Sequence, residues 1–242
     1  MALPKISAPT FEITLPVSKK SIKFRPFLVK EQKILLMAME SGEKGVIESN
    51  VKHILNNCLI SDIDIDTLPI VDIEYYFLNI RARSVGEIIE SKYKCENEID
   101  GVVCNNTMDT KFNILDVQVD MPKDLNDKIQ ITPTVGVKLR YPNFDLVDKL
   151  QDLDNATDIA FELIIECVEY IYDEDNLYYA HETPREELMA FLESLTKDQF
   201  EKIEEFVENL PKLKKEIEVT CKKCGFNHKI KVEGLESFFY FP

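Results

Sequence analysis

The stretch Val219-Thr220-Cys221-Lys222-Lys223-Cys224-Gly225-Phe226 is the most informative part of this sequence. A strand-like segment runs into Cys-x-x-Cys, a glycine and a second strand-like segment, which is the pattern of a zinc knuckle. Two thiolates at this spacing on a tight turn can reach one ion, and Gly225 tolerates the positive φ that such a turn needs. Because a structural zinc ion takes four ligands, the sequence predicts that two more cysteines complete the site.

The other four cysteines differ in their surroundings. Cys95 follows the strand-like run Lys92-Tyr93-Lys94, and Cys104 lies nine positions later. Cys58 and Cys167 lie on the apolar stripes of predicted helices, where a thiol is typically a small buried hydrophobic group. Four thiolates around one ion leave no position for water or substrate, so the site would be structural. We therefore predict structural Zn²⁺ as the cofactor, with a ligand set of Cys95, Cys104, Cys221 and Cys224.

Alternatives for this ligand set stay open at the level of sequence. The eight residues between Cys95 and Cys104 exceed the usual knuckle spacing, and His228 is an alternative ligand four residues after Cys224. A redox pair at the C-terminal Cys-x-x-Cys would need a βαβ context that the sequence does not show. Because Cys104 and Cys221 are 117 positions apart (221 minus 104), a shared ion would close a long excursion of the chain.

Helical and strand-like patterns alternate along the rest of the chain. Apolar spacing and capping residues predict helices at 29–41, 46–58, from 69 towards 89, 155–171, from 184, and 197–210. Alternating runs predict short strands at 11–15, 21–24, 91–95, 108–113, 129–132, 136–139, 214–220 and 227–232. The predicted fold class is α+β, mostly helical, with short β-hairpins and a discontinuous zinc-ribbon-like element.

This order of elements predicts three units. Residues 1–90 form an N-terminal hairpin plus helices. Residues 91–114 and 213–242 together form the discontinuous zinc-ribbon-like module, which ends in an aromatic tail. Residues 115–212 form a hairpin and helical insertion between the two halves of that module.

Composition narrows the classes of function. The chain has 242 residues, 45% of them hydrophobic, which is enough for a sizeable core. No apolar run reaches the length of about 18 residues that a membrane-spanning helix needs, and the first residues lack the segments of a secretory signal. With 44 acidic and 29 basic side chains the net charge is -15, which argues against general affinity for a phosphate backbone.

Signatures of an enzyme are missing from the sequence. It contains no phosphate-binding glycine loop, no dinucleotide fingerprint and no metalloprotease or serine-hydrolase motif. With three histidines, general-base chemistry would depend on carboxylates. The alternating Asp62, Asp64 and Asp66 lack the glycine and glutamate of a calcium-binding EF-hand. We predict that the protein is not an enzyme.

Four stretches of sequence carry a resemblance to a known family. Residues 2–16 lead into Lys23-Phe24-Arg25-Pro26-Phe27-Leu28-Val29-Lys30-Glu31-Gln32-Lys33, and the late cysteine knuckle is followed by Gly234-Leu235-Glu236-Ser237-Phe238-Phe239. Together they resemble the baseplate hub assembly proteins of T-even-type contractile-tailed bacteriophages, over nearly the whole chain. Members of that family often carry Cys-x-x-Cys at both knuckles, whereas Glu98 stands here in place of the second cysteine of the first.

The resemblance implies a non-enzymatic phage tail protein that assists assembly of the baseplate central hub through protein–protein contacts. Its partners would be other hub and tail proteins, and its location the host cytoplasm during assembly or the virion tail baseplate. One alternative is a permanent structural subunit of the hub. From a different class, a zinc-ribbon nucleic-acid-binding protein would use the lysines around the late knuckle, with Phe226 stacking on a base.

Aromatic residues near the two ends of the chain are candidates for partner binding. The alternative for the first group is that its two phenylalanines pack the hairpin onto the first helix, with Arg25 solvated. Four aromatics in the tail need burial, either in the chain's own core or in a partner, since aromatic side chains are favoured at interface centres. The candidates are Phe24, Arg25, Phe27, Phe238, Phe239, Tyr240 and Phe241.

Overall fold

The computed structural model describes residues 6–41, 44–122, 125–150, 153 and 155–233. The protein is about 38% helical and 29% strand, with the strands in several antiparallel sheets. The α+β fold predicted to be mostly helical is therefore wrong in its balance, because strands contribute nearly as much as helices. Among the described residues, none of the helices combines the length and the apolar character that a membrane span requires.

The N-terminal part is a β-hairpin packed against helices, and its strands and first two helices agree with the prediction. Leu15 and Phe24 have no exposed surface in the core between hairpin and helices. The buried carboxylate of Asp72 accepts hydrogen bonds from the backbone N–H groups of Val17 and Ser18, both at 2.8 Å, and so fixes the hairpin turn on the third helix. The elements are β1 (Phe11–Thr14), β2 (Ser21–Phe24), α1 (Val29–Ser41), α2 (Lys44–Cys58) and α3 (Ile70–Ser84).

Helix α3 ends earlier than the prediction of a helix towards residue 89. It stops at Ser84, and Gly86 follows with a φ of +129°, a conformation that side chains other than glycine rarely adopt. The chain then turns directly into a strand at Ile88. Helix α3 packs on two sides, since Tyr76 lies in the N-terminal core while Leu78 lies in the core beneath the ribbon.

Two antiparallel hairpins form the ribbon, which comes from distant parts of the sequence. The first pairs Ile88–Lys94 with Thr107–Asn113 and ends with Lys94 opposite Thr107. The second pairs Lys212–Thr220 with Asn227–Glu233, ends with Thr220 opposite Asn227, and also pairs with Gln118–Asp120. Both hairpins therefore end in a cysteine-bearing turn. The elements of the first half are β3 (Ile88–Lys94), β4 (Glu98–Ile99), β5 (Val102–Val103), β6 (Thr107–Asn113) and β7 (Gln118–Asp120).

Between these halves lies a four-stranded antiparallel sheet covered by helices. Val137, Cys167 and Ile203, which have no exposed surface, belong to its core. The elements are β8 (Lys128–Gln130), β9 (Gly136–Leu139), α4 (Leu146–Leu150), α5 (Ala156–Cys167), β10 (Val168–Tyr172), β11 (Leu177–Tyr179), α6 (Arg185–Glu193), α7 (Lys197–Glu208) and, in the second ribbon hairpin, β12 (Lys212–Thr220) and β13 (Asn227–Glu233).

The missed strands explain why the helical content was overestimated. The helix predicted at 155–171 ends at Cys167, and Val168–Tyr172 forms the strand β10 instead. Four of its five side chains are β-branched or aromatic, types that favour a strand, and β10 pairs with β9 on one side and β11 on the other. Strands β4, β5, β7 and β11 are two or three residues long and were not predicted.

Candidate metal centre

The four cysteines predicted as ligands lie together in the structure. Their sulfur atoms are all within 4.8 Å of one another, with 3.5 Å between Cys95 and Cys224 and 3.9 Å between Cys104 and Cys221. Four thiolates bound tetrahedrally at about 2.3 Å from one zinc ion would lie about 3.8 Å from one another. The observed spacing is therefore compatible with a metal ion held by all four sulfurs.

The C-terminal knuckle, residues 221–226, has the turn geometry that the sequence predicts. The N–H of Cys221 donates to the carbonyl of Phe226, and the N–H of Gly225 donates to the carbonyl of Cys221, both at 2.8 Å. Gly225 has a φ of +73°, which a residue with a Cβ adopts only at a cost. The turn thus directs both sulfurs of Cys-x-x-Cys to one side.

The N-terminal knuckle, residues 95–106, contains an inserted hairpin, which accommodates the eight residues between Cys95 and Cys104. Strands β4 and β5 pair antiparallel, with Ile99 opposite Val102. Asp100 and Gly101 connect them with φ values of +50° and +79°, as a two-residue primed turn requires. No strand was predicted between residues 95 and 108, and Asp-Gly between Ile99 and Val102 was the signal that could have revealed this hairpin.

Backbone hydrogen bonds close the base of this inserted hairpin. The N–H of Cys104 donates to the carbonyl of Asn97 at 2.8 Å, and the N–H of Asn105 donates to the carbonyl of Cys95 at 3.0 Å. The N–H of Cys95 in turn donates to the carbonyl of Asn106 at 2.8 Å. The insertion therefore returns Cys104 to the side of Cys95 in spite of the eight residues between them.

Polar groups surround the sulfur atoms. The side-chain amides of Asn106 and Asn97 donate to the sulfurs of Cys221 and Cys224, at 3.5 and 3.7 Å. His228 is buried, and its Nε2 lies 3.1 Å from the sulfur of Cys95. The alternative ligand His228 thus lies beside the four sulfurs as a hydrogen-bonding neighbour. Sequence reasoning missed both asparagines because an amide near a cysteine carries no recognisable spacing.

The pKa values of two of the cysteines are shifted in opposite directions. Burial raises the pKa of Cys95 to about 12. Burial also opposes ionisation of Cys221, but backbone hydrogen bonds from Cys224 and Lys223, and the amide of Asn106, lower the pKa of its thiol to about 6. A divalent cation would offset the negative charge that four thiolates bring to this buried position.

The other two cysteines lie apart from this cluster. Cys58 belongs to the N-terminal core and Cys167 to the core of the four-stranded sheet, and neither has any exposed surface. Burial raises the pKa of the Cys58 thiol to about 11 and that of Cys167 to about 12. Both thiols are therefore neutral at physiological pH and pack as small apolar groups.

The structure places the first group of partner-binding candidates in or against the N-terminal core. Phe24 has no exposed surface and packs edge-on against Tyr76, and Phe27 is partly buried against the same core. Both phenylalanines therefore pack as the alternative to partner binding predicted, but the guanidinium of Arg25 lies 3.0 Å from the carboxylate of Glu31 and is not solvated as that alternative expected. The tail candidates Phe238, Phe239, Tyr240 and Phe241 lie outside the described residues.

Glu31 is a buried charge in the first turn of α1. Its carboxylate is about 1% exposed and accepts hydrogen bonds from the guanidinium of Arg25 at 3.0 Å and from the N–H of Leu28 at 2.7 Å. Its position three residues after Leu28, at the start of a helix, was a capping signal that could have revealed it. The carboxylate therefore links Arg25, the residue after β2, to the start of α1.

Comparison with known proteins defines the class of this chain as a protein of the contractile phage tail. Residues 8–240 match the family described as T4 bacteriophage base plate protein. The chain belongs to this family, which confirms the resemblance to T-even-type tail proteins. No curated protein and no solved structure matches it. Membership implies a location in the virion tail and contacts with other phage baseplate proteins.

Proposed function

We propose that this protein assists assembly of the central hub of the baseplate through protein–protein contacts, without enzymatic chemistry. The single observation that carries the proposal is the family match over residues 8–240. The resemblance of the N-terminal block to hub assembly proteins favours the hub among the parts of a baseplate. A permanent structural subunit of the hub is the alternative within the same assembly.

The side chains around one cavity support a non-enzymatic role. This cavity of about 610 Å³ contains two carboxylates from α5, those of Glu162 and Glu166. Glu162 is bound by the guanidinium of Arg185, and Glu166 accepts a hydrogen bond from the ammonium of Lys149 at 2.5 Å. These ion pairs connect α5 to α4 and α6, which is a structural use of both carboxylates.

The proposal includes a structural Zn²⁺ bound by Cys95, Cys104, Cys221 and Cys224, supported by the close approach of the four sulfurs. Such an ion would supply free energy of folding and would activate no substrate, since all four positions are taken by protein. It would hold together the two halves of the zinc-ribbon-like module, 91–114 and 213–242, with residues 115–212 as the insertion between them.

The nucleic-acid alternative has little support from the charges around the knuckles. The ammonium of Lys229 lies 3.3 Å from the carboxylate of Glu218, and that of Lys223 donates to the carbonyl of Cys104 at 3.0 Å. These contacts occupy cations that a phosphate backbone would require. Fluorescence-anisotropy titration with DNA and RNA at low salt tests it; micromolar, salt-sensitive binding would revive this alternative.

Co-expression with the other baseplate proteins of the same phage tests the hub proposal. We expect affinity-tagged protein to retain one or more hub proteins at a fixed stoichiometry, because its role depends on direct contact. Mass spectrometry of purified virions then separates the two roles: an assembly factor is absent from finished particles, and a permanent subunit is present. Retention of no hub protein in any combination would refute both roles.

Elemental analysis of purified protein tests the metal assignment. We expect about one zinc ion per chain, since four thiolates provide one complete tetrahedral site. The double variant Cys95→Ser with Cys224→Ser is expected to contain none, whereas Cys167→Ser, which changes a buried cysteine outside the cluster, is expected to retain it. A wild-type metal content well below one per chain would exclude the site.

A further inference from the structure

The inserted hairpin of the N-terminal knuckle exposes apolar side chains. We name residues 96–103 the tip hairpin. Ile99 is 47% exposed, Val102 69% and Val103 42%. Ile99 and Val102 are cross-strand partners, so their side chains share one face. Exposed apolar groups on adjoining positions mark interaction sites more often than single exposed residues do.

The tip hairpin is held in a defined position. An isolated two-stranded hairpin is at best marginally stable in water, but this one is closed at its base by the Cys104–Asn97 backbone hydrogen bond and bounded by two cysteines of the cluster. The side chain of Asn97 also reaches the sulfur of Cys224 on the opposite knuckle, at 3.7 Å. The apolar side chains are therefore presented from a braced support, which lowers the entropic cost of binding.

The charge of the tip hairpin indicates the chemistry of its partner. Glu96, Glu98 and Asp100 are exposed, and the hairpin contains no lysine or arginine. None of these three carboxylates forms an ion pair with another of the described residues. A complementary surface would surround an apolar pocket with basic side chains, because such pairing favours association and excludes wrong partners.

A second copy of this chain does not fit that description. Each copy carries a net charge of -15, and two tip hairpins would bring together acidic groups that repel one another. The tip hairpin is suited to inserting as an anchor into a concave site on a different protein.

We propose that the tip hairpin inserts Ile99 and Val102 into an apolar pocket with a basic rim on another protein of the same baseplate. This inference rests on the proposed function and adds to it the surface and the kind of partner. The metal cluster then has an indirect part in recognition, since its cysteines flank the hairpin and hold its base.

Binding of the metal-loaded full chain to each purified, immobilised baseplate protein of the same phage tests the inference. The double variant Ile99→Ser with Val102→Ser is expected to raise the Kd of at least one complex by about tenfold or more, with unchanged metal content. Glu96→Gln with Glu98→Gln is expected to raise it less and to reduce its dependence on salt. The control, Leu177→Ser with Tyr178→Ser, changes similarly exposed residues on β11 and is expected to leave the Kd unchanged.

The outcomes separate this inference from the proposed function. If the wild type binds baseplate proteins and the tip double variant binds equally well, the inference fails and the proposed function stands. An equal loss in the β11 control also overturns it, as does wild-type self-association that the tip double variant abolishes. If the wild type binds none of the baseplate proteins, both the inference and the proposed function fail.

Discussion

Replacing Cys221 with Ser is expected to abolish metal binding and to lower the free energy of unfolding by about 5 kcal/mol. Three sulfurs would remain, and the serine hydroxyl is a poor replacement for a thiolate ligand. The loss is expected to be large because the sulfurs of Cys221 and Cys104 join segments 117 residues apart and because the free energy of metal binding is free energy of folding. Urea denaturation, combined with metal analysis of each sample, measures both effects.

The matched control is Cys58→Ser. Cys58 and Cys221 both have no exposed surface, so the two substitutions place the same hydroxyl in a buried position, but only one removes a predicted ligand. We expect Cys58→Ser to cost about 1 kcal/mol and to leave the metal content unchanged. Equal destabilisation by the two substitutions, with equal metal content, would contradict the assignment of Cys221.

Replacing Glu31 with Ala is expected to lower the free energy of unfolding by about 3–5 kcal/mol, because removal of one partner leaves a partly buried charge uncompensated. The side chain of Arg25 is 19% exposed and would lose its carboxylate, and the N–H of Leu28 would lose its acceptor. Lys30→Ala is the control. Its ammonium also lies near Glu31, at 3.3 Å, but its side chain is 67% exposed, so we expect an effect below about 1 kcal/mol.

The effect of Glu31→Ala is also expected to depend on pH. Burial would raise the pKa of Glu31, but hydrogen bonds from Arg25, Leu28 and Lys30 lower it below the ordinary value of 4.5. Because the folded-state pKa is lowered, the contribution of Glu31 is fully present above pH 4.5 and is lost as the pH falls through the folded-state pKa. The difference in unfolding free energy between wild type and variant should therefore narrow below pH 4.5; a difference that grows there would refute the assigned ion pair.

Local patterns predicted the elements whose signals are contained within one segment. The hairpin of β1 and β2, the helices α1 and α2, and the ribbon strands beside the cysteines all follow from short-range alternation or spacing. The prediction of a helix over 168–171 was wrong because Val168 and Ile171 continue the apolar stripe of α5, while their strand partners lie elsewhere in the chain. Hydrogen bonding to β9 and β11 stabilises these residues as a strand, and a short stretch of sequence around them does not include those partners.

For the candidate site, too, some features followed from the sequence and others only from the tertiary structure. The sequence by itself determined which cysteines have the context of ligands, the turn at Gly225 and the family to which the chain belongs. Only the tertiary structure decided that an inserted hairpin returns Cys104 to Cys95, that these sulfurs meet those of the distant knuckle, and that Glu31 is buried beside Arg25. The physical reason is that turn geometry is set by neighbouring residues, whereas burial and the meeting of distant side chains depend on the packing of the whole chain.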